Sequence, residues 1–352
     1  MDKANSLFLE LVQVALGSRD KLSRLPTEPE WNELFVTAQK QAVAALLLPV
    51  IDKIVEEGNG LPKQLIYSWI GIGQQTMAQN RIVNQRCVEL TKLFAGFGYR
   101  CCILKGQGNA TFYDYPLSRA PGDIDIWIDA DREIIKRYVT KRYPNAKDSN
   151  LHIDFPIYDD VPVELHYRPT IARSIKYNKR LQNYYDTLSD DCFRNMVQLD
   201  EGSINVPVTE LNVVMQMSHV MNHFFEEGIG LRQIIDLYYL LKKTDFDRSK
   251  MEYKLWHLGM GRFTMAMMWV LYHELGLDEK YLIAKPDKKR GRLLLKDILA
   301  GGNFGRFYQH PEKKLYSKSP LAYKIIRNLR FFWLFPMESF ISPAISKFYS
   351  ED

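Results

Sequence analysis

No stretch of the 352-residue chain is apolar for long enough to cross a membrane as a helix, which takes about 18 to 20 such residues. The most apolar segment, Ala42 to Ile51, is too short and contains Pro49. Cysteine is scarce: Cys87, Cys101, Cys102 and Cys192 make four, none at metal-site spacing. That excludes a disulfide scaffold and points to buried free thiols in a reducing compartment. Met1-Asp2-Lys3-Ala4-Asn5 has no basic region leading into an apolar one, so the expectation is no signal peptide and a cytoplasmic location. Internal repeats and low-complexity tracts are absent. Gly301-Gly302-Asn303-Phe304-Gly305 is not followed by Lys-Ser or Lys-Thr. It reads as a helix C-cap and loop, not a phosphate-cradling loop. His219 and His223 stand four apart without the Glu of a zinc-hydrolase motif, so zinc hydrolysis has no support.

Hydrophobic residues at 46% and charged residues at 25% are ordinary for a soluble globular protein. The net charge of +5 is unevenly spread. From Lys285 to Arg330 there are 13 Lys/Arg and 3 Asp/Glu, a local +10, which leaves −5 for the remainder. A basic C-terminal third suits an acidic partner, although solvated helical faces also look like this. Phe331-Phe332-Trp333-Leu334-Phe335 reads as core, with an interfacial membrane contact as the lesser alternative.

The informative stretch lies between Cys101 and Ile128. An apolar run, Cys101 to Leu104, ends in a Lys105-Gly106 corner, and a short helix is expected over Asn109 to Tyr113. Arg119 and Gly122 then lead into Asp123-Ile124-Asp125-Ile126-Trp127-Ile128. This alternation has the period of a half-buried strand. Asp123 and Asp125 then share a face with Cα atoms about 6.6–6.8 Å apart. Two such carboxylates repel unless one is protonated or a cation sits between them. Asn at position 125 is therefore expected to leave the metal-free protein no less stable. Hard dications are commonly held by one or two carboxylates together with substrate phosphates. A glycine corner opening a helix offers free N–H groups to those phosphates. Asp-x-Asp alone equally describes a solvated strand edge; the corner and a third carboxylate favour phosphoryl or nucleotidyl transfer.

That third carboxylate is Glu164. Leu151 to Ile157 and Val161 to Tyr167 read as a hairpin around Tyr158-Asp159-Asp160. A two-residue Asp159-Asp160 turn would put the apolar face of one strand beside the polar face of the other. A three-residue loop pairs Ile157 with Val161, Phe155 with Val163 and Ile153 with Leu165, which gathers the apolar groups on one side. His152, Asp154, Glu164 and His166 then share the opposite side. Pro156 and Pro162 predict a frayed tip or edge.

These residues resemble the nucleotidyltransferase superfamily. More closely, the pattern is similar to an uncharacterised bacterial nucleotidyltransferase family with a Leu-Lys-Gly corner, an Arg before Asp-Ile-Asp, and a later Glu-Leu-His. Lys105-Gly106, Arg119, Asp123-Ile124-Asp125 and Glu164-Leu165-His166 match it. Gln107 departs from the Ser or Gly common in the superfamily. The resemblance implies an enzyme moving NMP from an NTP to an acceptor hydroxyl by a two-metal carboxylate mechanism with Mg²⁺, or Mn²⁺ in its place. Asp123, Asp125 and Glu164 would be the catalytic metal ligands, and Lys105, Gly106, Gln107 and Arg119 the nucleotide-binding residues. Arg119 also fits a salt bridge holding its loop against Asp123. His152, Asp154 and His166 stand behind them, either orienting a carboxylate or meeting the acceptor. His223, Arg232 and Asp236 match a helical segment associated with the family, although Arg232 and Asp236 also fit a simple i, i+4 pair. The acceptor class (small molecule, sugar, protein or RNA) stays open. A non-catalytic module that senses nucleotide or binds a partner is the competing reading.

The expected architecture is α+β: a helical region over 1–97, a small mixed-sheet nucleotidyltransferase core over 98–175, and a C-terminal helical domain over 176–352. The anticipated elements include a break at Pro26-Thr27-Glu28-Pro29 with a new helix starting near Thr27 or Glu28, and a short helix opened by Pro49 and ended by Gly58-Asn59-Gly60. A long helix from Pro62 towards Phe97, a helix from Asp131 to Arg142, and helices alone from Tyr177 onward are also expected.

Overall fold

A computed structural model describes residues 3–58, 61–308, 319–336 and 338–339. The helix stop expected at Asn59-Gly60, and residues 309–318 of the basic stretch, lie outside the described residues. The chain divides into two compact units. The first comprises Met1–Gln74, Ala172–Tyr177 and Met217–Asp352; the second comprises Gln75–Ile171 and Asn178–Gln216. Among the described residues no helix is long and apolar enough to cross a membrane.

The second unit contains a four-stranded mixed sheet. Helix α4, Lys63–Gly96, enters it at residue 75 and ends before Gly98, whose φ is +80°. Strand β1, Cys101–Leu104, pairs antiparallel with β2, Ile124–Ile128. The latter pairs parallel with β4, Val163–His166, and β4 pairs antiparallel with β3, His152–Asp154. The spatial order is β1-β2-β4-β3, the small mixed sheet the α+β reading anticipates. Ile153 stands opposite Leu165, and His152 opposite His166. This is the register the buried face demands, because a slip by one residue would turn Ile153 and Leu165 to the polar side. Pairing fades beyond Phe155, whose N–H still donates to the Val163 carbonyl at 2.8 Å. The tip carrying Pro156 and Pro162 is irregular.

One face of the sheet is the core of this unit. Cys101, Ile103, Ile124, Ile126, Ile128, Ile153, Val163 and Leu165 pack there against Val83, Cys87, Leu90 and Phe94 of α4. Helix α6, Arg132–Arg142, adds Ile135 and Val139 to the same cluster. Burying such side chains is worth about 1.5–3 kcal/mol each, and it requires every polar neighbour along these strands to face the other way.

The expectation of helices alone after Tyr177 fails between α7, Ile175–Cys192, and α8, Thr209–Glu226. A hairpin of β5, Met196–Leu199, and β6, Gly202–Asn205, intervenes. Met196 is exposed while Ile204 is buried in the sheet core. Gly202, at φ +144°, brings its backbone close to Val88, where an added Cβ would come within 2.9 Å of the valine side chain. The two strands are four residues each and only half apolar, so their alternation is weak beside the helical signals around them.

The first unit is helical. Helices α1, Lys3–Ala15, α2, Glu28–Lys40, and α3, Ala44–Glu56, bury Leu11, Val12, Trp31, Leu34, Leu47 and Ile51. The break at Pro26-Thr27 starts α2: Glu30 accepts the Thr27 N–H at 2.8 Å, the reciprocal bond of a capping box. Pro49 lies inside α3 and does not open it. The buried run on both sides of Pro49 outweighs the one helical hydrogen bond it deletes. Helix α9, Leu231–Lys243, is buried continuously from Leu231 to Leu241. Three further helices follow: α10, Arg248–His257, α11, Gly261–Trp269, and α12, Lys288–Gly301, the last ending at Gly302 with φ +61°. The last described helix is α13, Pro320–Leu329. Phe331 and Phe335 pack on Phe224, Phe225 and Phe263, as the core reading of that segment requires, whereas Trp333 is exposed.

Candidate active site

The polar face of the sheet is built by register. Asp125 stands beside Leu104 and Glu164 on the neighbouring strands, and Trp127 beside His166. His152 and Asp154 join the same face from β3. Strand β2 begins at Ile124, so Asp123 lies just before it and is exposed, whereas Asp125 is buried. Even so, ligand oxygens of Asp123, Asp125 and Glu164 lie within 4.8 Å of one another. The donor set is all carboxylate oxygen, the chemistry a hard dication takes, and its three members reach one point.

The corner residue is Lys105. Its backbone, φ 53° and ψ −125°, is one that side chains rarely adopt, and Gly106 follows at φ +26°. Strain of this kind costs about 1–3 kcal/mol and persists where surrounding contacts enforce it. Here the Lys105 carbonyl accepts the Asn109 N–H at 3.0 Å, opening α5, Gly106–Ala110. The Lys105 ammonium reaches Asp125 Oδ1 at 2.9 Å. The same oxygen lies 2.8 Å from His166 Nε2.

His166 is fully buried; its Nδ1 lies 3.2 Å from the Arg168 carbonyl and its Nε2 3.4 Å from Glu164. Burial opposes charging this imidazole, but the Asp125 and Glu164 carboxylates outweigh it and raise its pKa. His152 differs: burial prevails over the attraction of Glu164 and lowers its pKa. Asp154 faces Glu164 across β3 and β4.

Gln107 is 3% exposed, and its side-chain N–H groups donate to Asn84, and to Asn80 at 3.3 Å. Its amide is thus occupied, and what it offers a phosphate is backbone. Asn80 is the residue sequence reasoning missed. Its amide donates to the Leu117 and Arg119 carbonyls at 2.8 Å each. One α4 side chain thereby holds the corner helix through Gln107 and the loop that delivers Arg119 and Asp123. Asn84, one turn on, donates to Glu201 at 2.9 Å at the β5–β6 turn. Two asparagines four apart within an apolar helix stripe are the signal that could have revealed them. Asn80→Ala is expected to leave the buried Arg119 carbonyl unpaired, at about 1–3 kcal/mol, and the part-buried Leu117 carbonyl at a smaller cost. It should lower the melting temperature and speed amide exchange in residues 117–122; unchanged exchange there would remove Asn80 from the site.

Arg119 is 5% exposed, so its guanidinium is not a solvated surface charge. His223, Arg232 and Asp236 belong to the first unit. There His223 Nδ1 lies 2.7 Å from Glu227, and both the His223 ring and the Arg232 guanidinium lie on Phe304, at 5.3 and 5.6 Å. Asp236 is buried within α9.

Residues 27–276 match the family described as uncharacterised nucleotidyltransferase. The chain belongs to that family. Its members carry the nucleotidyltransferase name, and the Lys-Gly corner, the Asp-Ile-Asp strand and Glu164 all fall inside the matched segment. No curated protein matches the chain in sequence. The crystal structure of an antigenic nucleotidyltransferase-like protein from Paracoccidioides brasiliensis aligns with 59% of this chain and 94% of its own. The identity is 11% and the TM-score 0.35, too loose a likeness to argue from.

Proposed function

We propose that the polar face of the second unit's sheet is a metal-dependent nucleotidyl-transfer site that moves NMP from an NTP to an acceptor hydroxyl. The convergence of Asp123, Asp125 and Glu164 within 4.8 Å carries this reading. These three carboxylates would hold Mg²⁺, with Mn²⁺ as the alternative. When bound, the dication neutralises phosphate charge and favours departure of pyrophosphate. Glu164, on its own strand, is placed to accept the proton of the acceptor hydroxyl. Arg119 and the backbone N–H groups at Gly106 and Gln107 serve the phosphates, the guanidinium by bidentate hydrogen bonds. Lys105 neutralises Asp125 before substrate arrives and is positioned to turn to phosphate afterwards. His152, Asp154 and His166 orient the carboxylates or meet the acceptor. Four buried free cysteines suit a reducing compartment, and we place the reaction in the bacterial cytoplasm.

The second reading, nucleotide binding without transfer, draws on the burial of the Gln107 amide, which removes a side chain from the phosphate corner. Thermal melting with each NTP, with and without Mg²⁺, separates both readings from a structural role. Ligand at a hundred times its Kd adds about 2.7 kcal/mol, so a clear Mg²⁺-dependent upward shift is expected. Incubation with α-labelled NTPs and fractions of metabolites, protein and RNA then separates transfer from binding. A shift without any labelled product favours the binding module; no shift with any NTP rejects both.

A further inference from the structure

We propose that His152, Glu164 and His166 form a second metal site, with two nitrogen ligands, that takes a transition-series dication such as Zn²⁺ in preference to Mg²⁺. One ligand atom from each of the three lies within 4.8 Å of the others. They stand on adjacent paired strands, His152 opposite His166 and Glu164 two residues earlier on β4, so the backbone ladder fixes their spacing. Glu164 Oε2 is 3.0 Å from His152 Nδ1 and 3.4 Å from His166 Nε2. Both ring nitrogens are buried, and neither makes a contact with hydrogen-bond geometry.

The tautomer of His166 sharpens this. A carbonyl oxygen can only accept, so the 3.2 Å contact of Nδ1 with the Arg168 carbonyl places the proton on Nδ1. Nε2 is then the nitrogen left to bind a metal, which displaces any proton it carries; it faces Glu164 at 3.4 Å and Asp125 at 2.8 Å. Lys105 offsets the charge of Asp125, and a dication would sit among Glu164 and the two ring nitrogens, whose ligand atoms the paired strands already bring together. Donation of the other ring N–H to a backbone carbonyl is the arrangement metal-bound histidines adopt. Imidazole is a ligand for zinc, iron, nickel and copper, while Mg²⁺ prefers oxygen and retains water. The packing of Trp127, the β2 neighbour of His166, on Phe193 adds apolar surface beside the site. Glu164 also belongs to the carboxylate set with Asp123 and Asp125, so the two sites share one ligand.

The test is titration of the metal-free full-length protein with Co²⁺ alone, read as visible d–d absorption. The wild type should give a saturable band that Zn²⁺ abolishes and a large excess of Mg²⁺ does not. His152→Ala and His166→Gln should each weaken Co²⁺ binding about tenfold or more and shift the band. Asp123→Asn should keep the band. His166 is deeply buried, so the half-buried His152 supplies the variant that preserves folding, verified by circular dichroism. Absence of a band in the wild type, wild-type Co²⁺ affinity in folded His152→Ala, or displacement of Co²⁺ by equimolar Mg²⁺ would each overturn the proposal. The site does not depend on nucleotidyl transfer. Failure to label any acceptor with the Co²⁺ band intact rejects the transfer reading alone, and loss of the band with transfer intact rejects this one alone.

Discussion

Asp125→Asn is expected to abolish nucleotidyl transfer and, at the same time, to destabilise the metal-free protein. The first effect follows from removing a negatively charged metal ligand, worth several kcal/mol of transition-state stabilisation and hence about 10³-fold in rate. The second reverses what the local sequence suggests. Asp123 and Asp125 read as an uncompensated like-charged pair, whose repulsion Asn would relieve. In the structure Asp125 is compensated: Lys105 Nζ lies 2.9 Å away, and the two side chains are 12% and 8% exposed. Neutralising the carboxylate removes the negative charge that faces an ammonium nearly out of water. Removing one partner of a buried pair costs about 3–5 kcal/mol, and the residual exposure of Lys105 places the expected loss near the lower end. Melting of wild type and Asp125→Asn, each with and without Mg²⁺-NTP, reads both effects. Equal melting temperatures without metal would show that Lys105 finds another partner, and equal Mg²⁺-NTP shifts would remove Asp125 from the metal set.

The largest purely structural effect is expected in the first unit, at Asp297→Ala. Asp297, on α12, accepts from Arg327 Nη2 at 2.6 Å and from the Tyr308 hydroxyl at 2.5 Å. Arg327, on α13, is 1% exposed and also donates to the Phe224 carbonyl at 2.5 Å. Without the carboxylate its guanidinium is a buried cation, and the expected loss is about 3–5 kcal/mol. The double variant Asp297→Leu with Arg327→Met should recover most of it, because a buried pair replaced by packed apolar groups of similar size is often neutral or better. Thermal melting of the three proteins measures this. A double variant no more stable than Asp297→Ala would show that the Arg327 bond to Phe224 matters more than the charge pair.

Much of this protein is determined locally. Period-two alternation in Asp-Ile-Asp-Ile-Trp-Ile, in Leu151 to Ile157 and in Val161 to Tyr167 decides which side chains can be buried together. With one face required to be apolar, the register of Ile153 on Leu165 follows, and so does the gathering of His152, Asp154, Glu164 and His166 opposite. Helix boundaries at Thr27 and Gly302 follow from capping chemistry carried by one or two residues. What only the tertiary structure decided are contacts between segments far apart in the chain. Asn80 meets Leu117, Arg119 and Gln107 because α4 crosses the corner and the loop before β2. Lys105 pairs with Asp125 because β1 and β2 lie side by side. His166 Nε2 is set against two carboxylates because β4 joins β2 in parallel, a pairing that no local period specifies. Periodicity tells a side chain which face to take; the order of the strands tells it which charges it will find there.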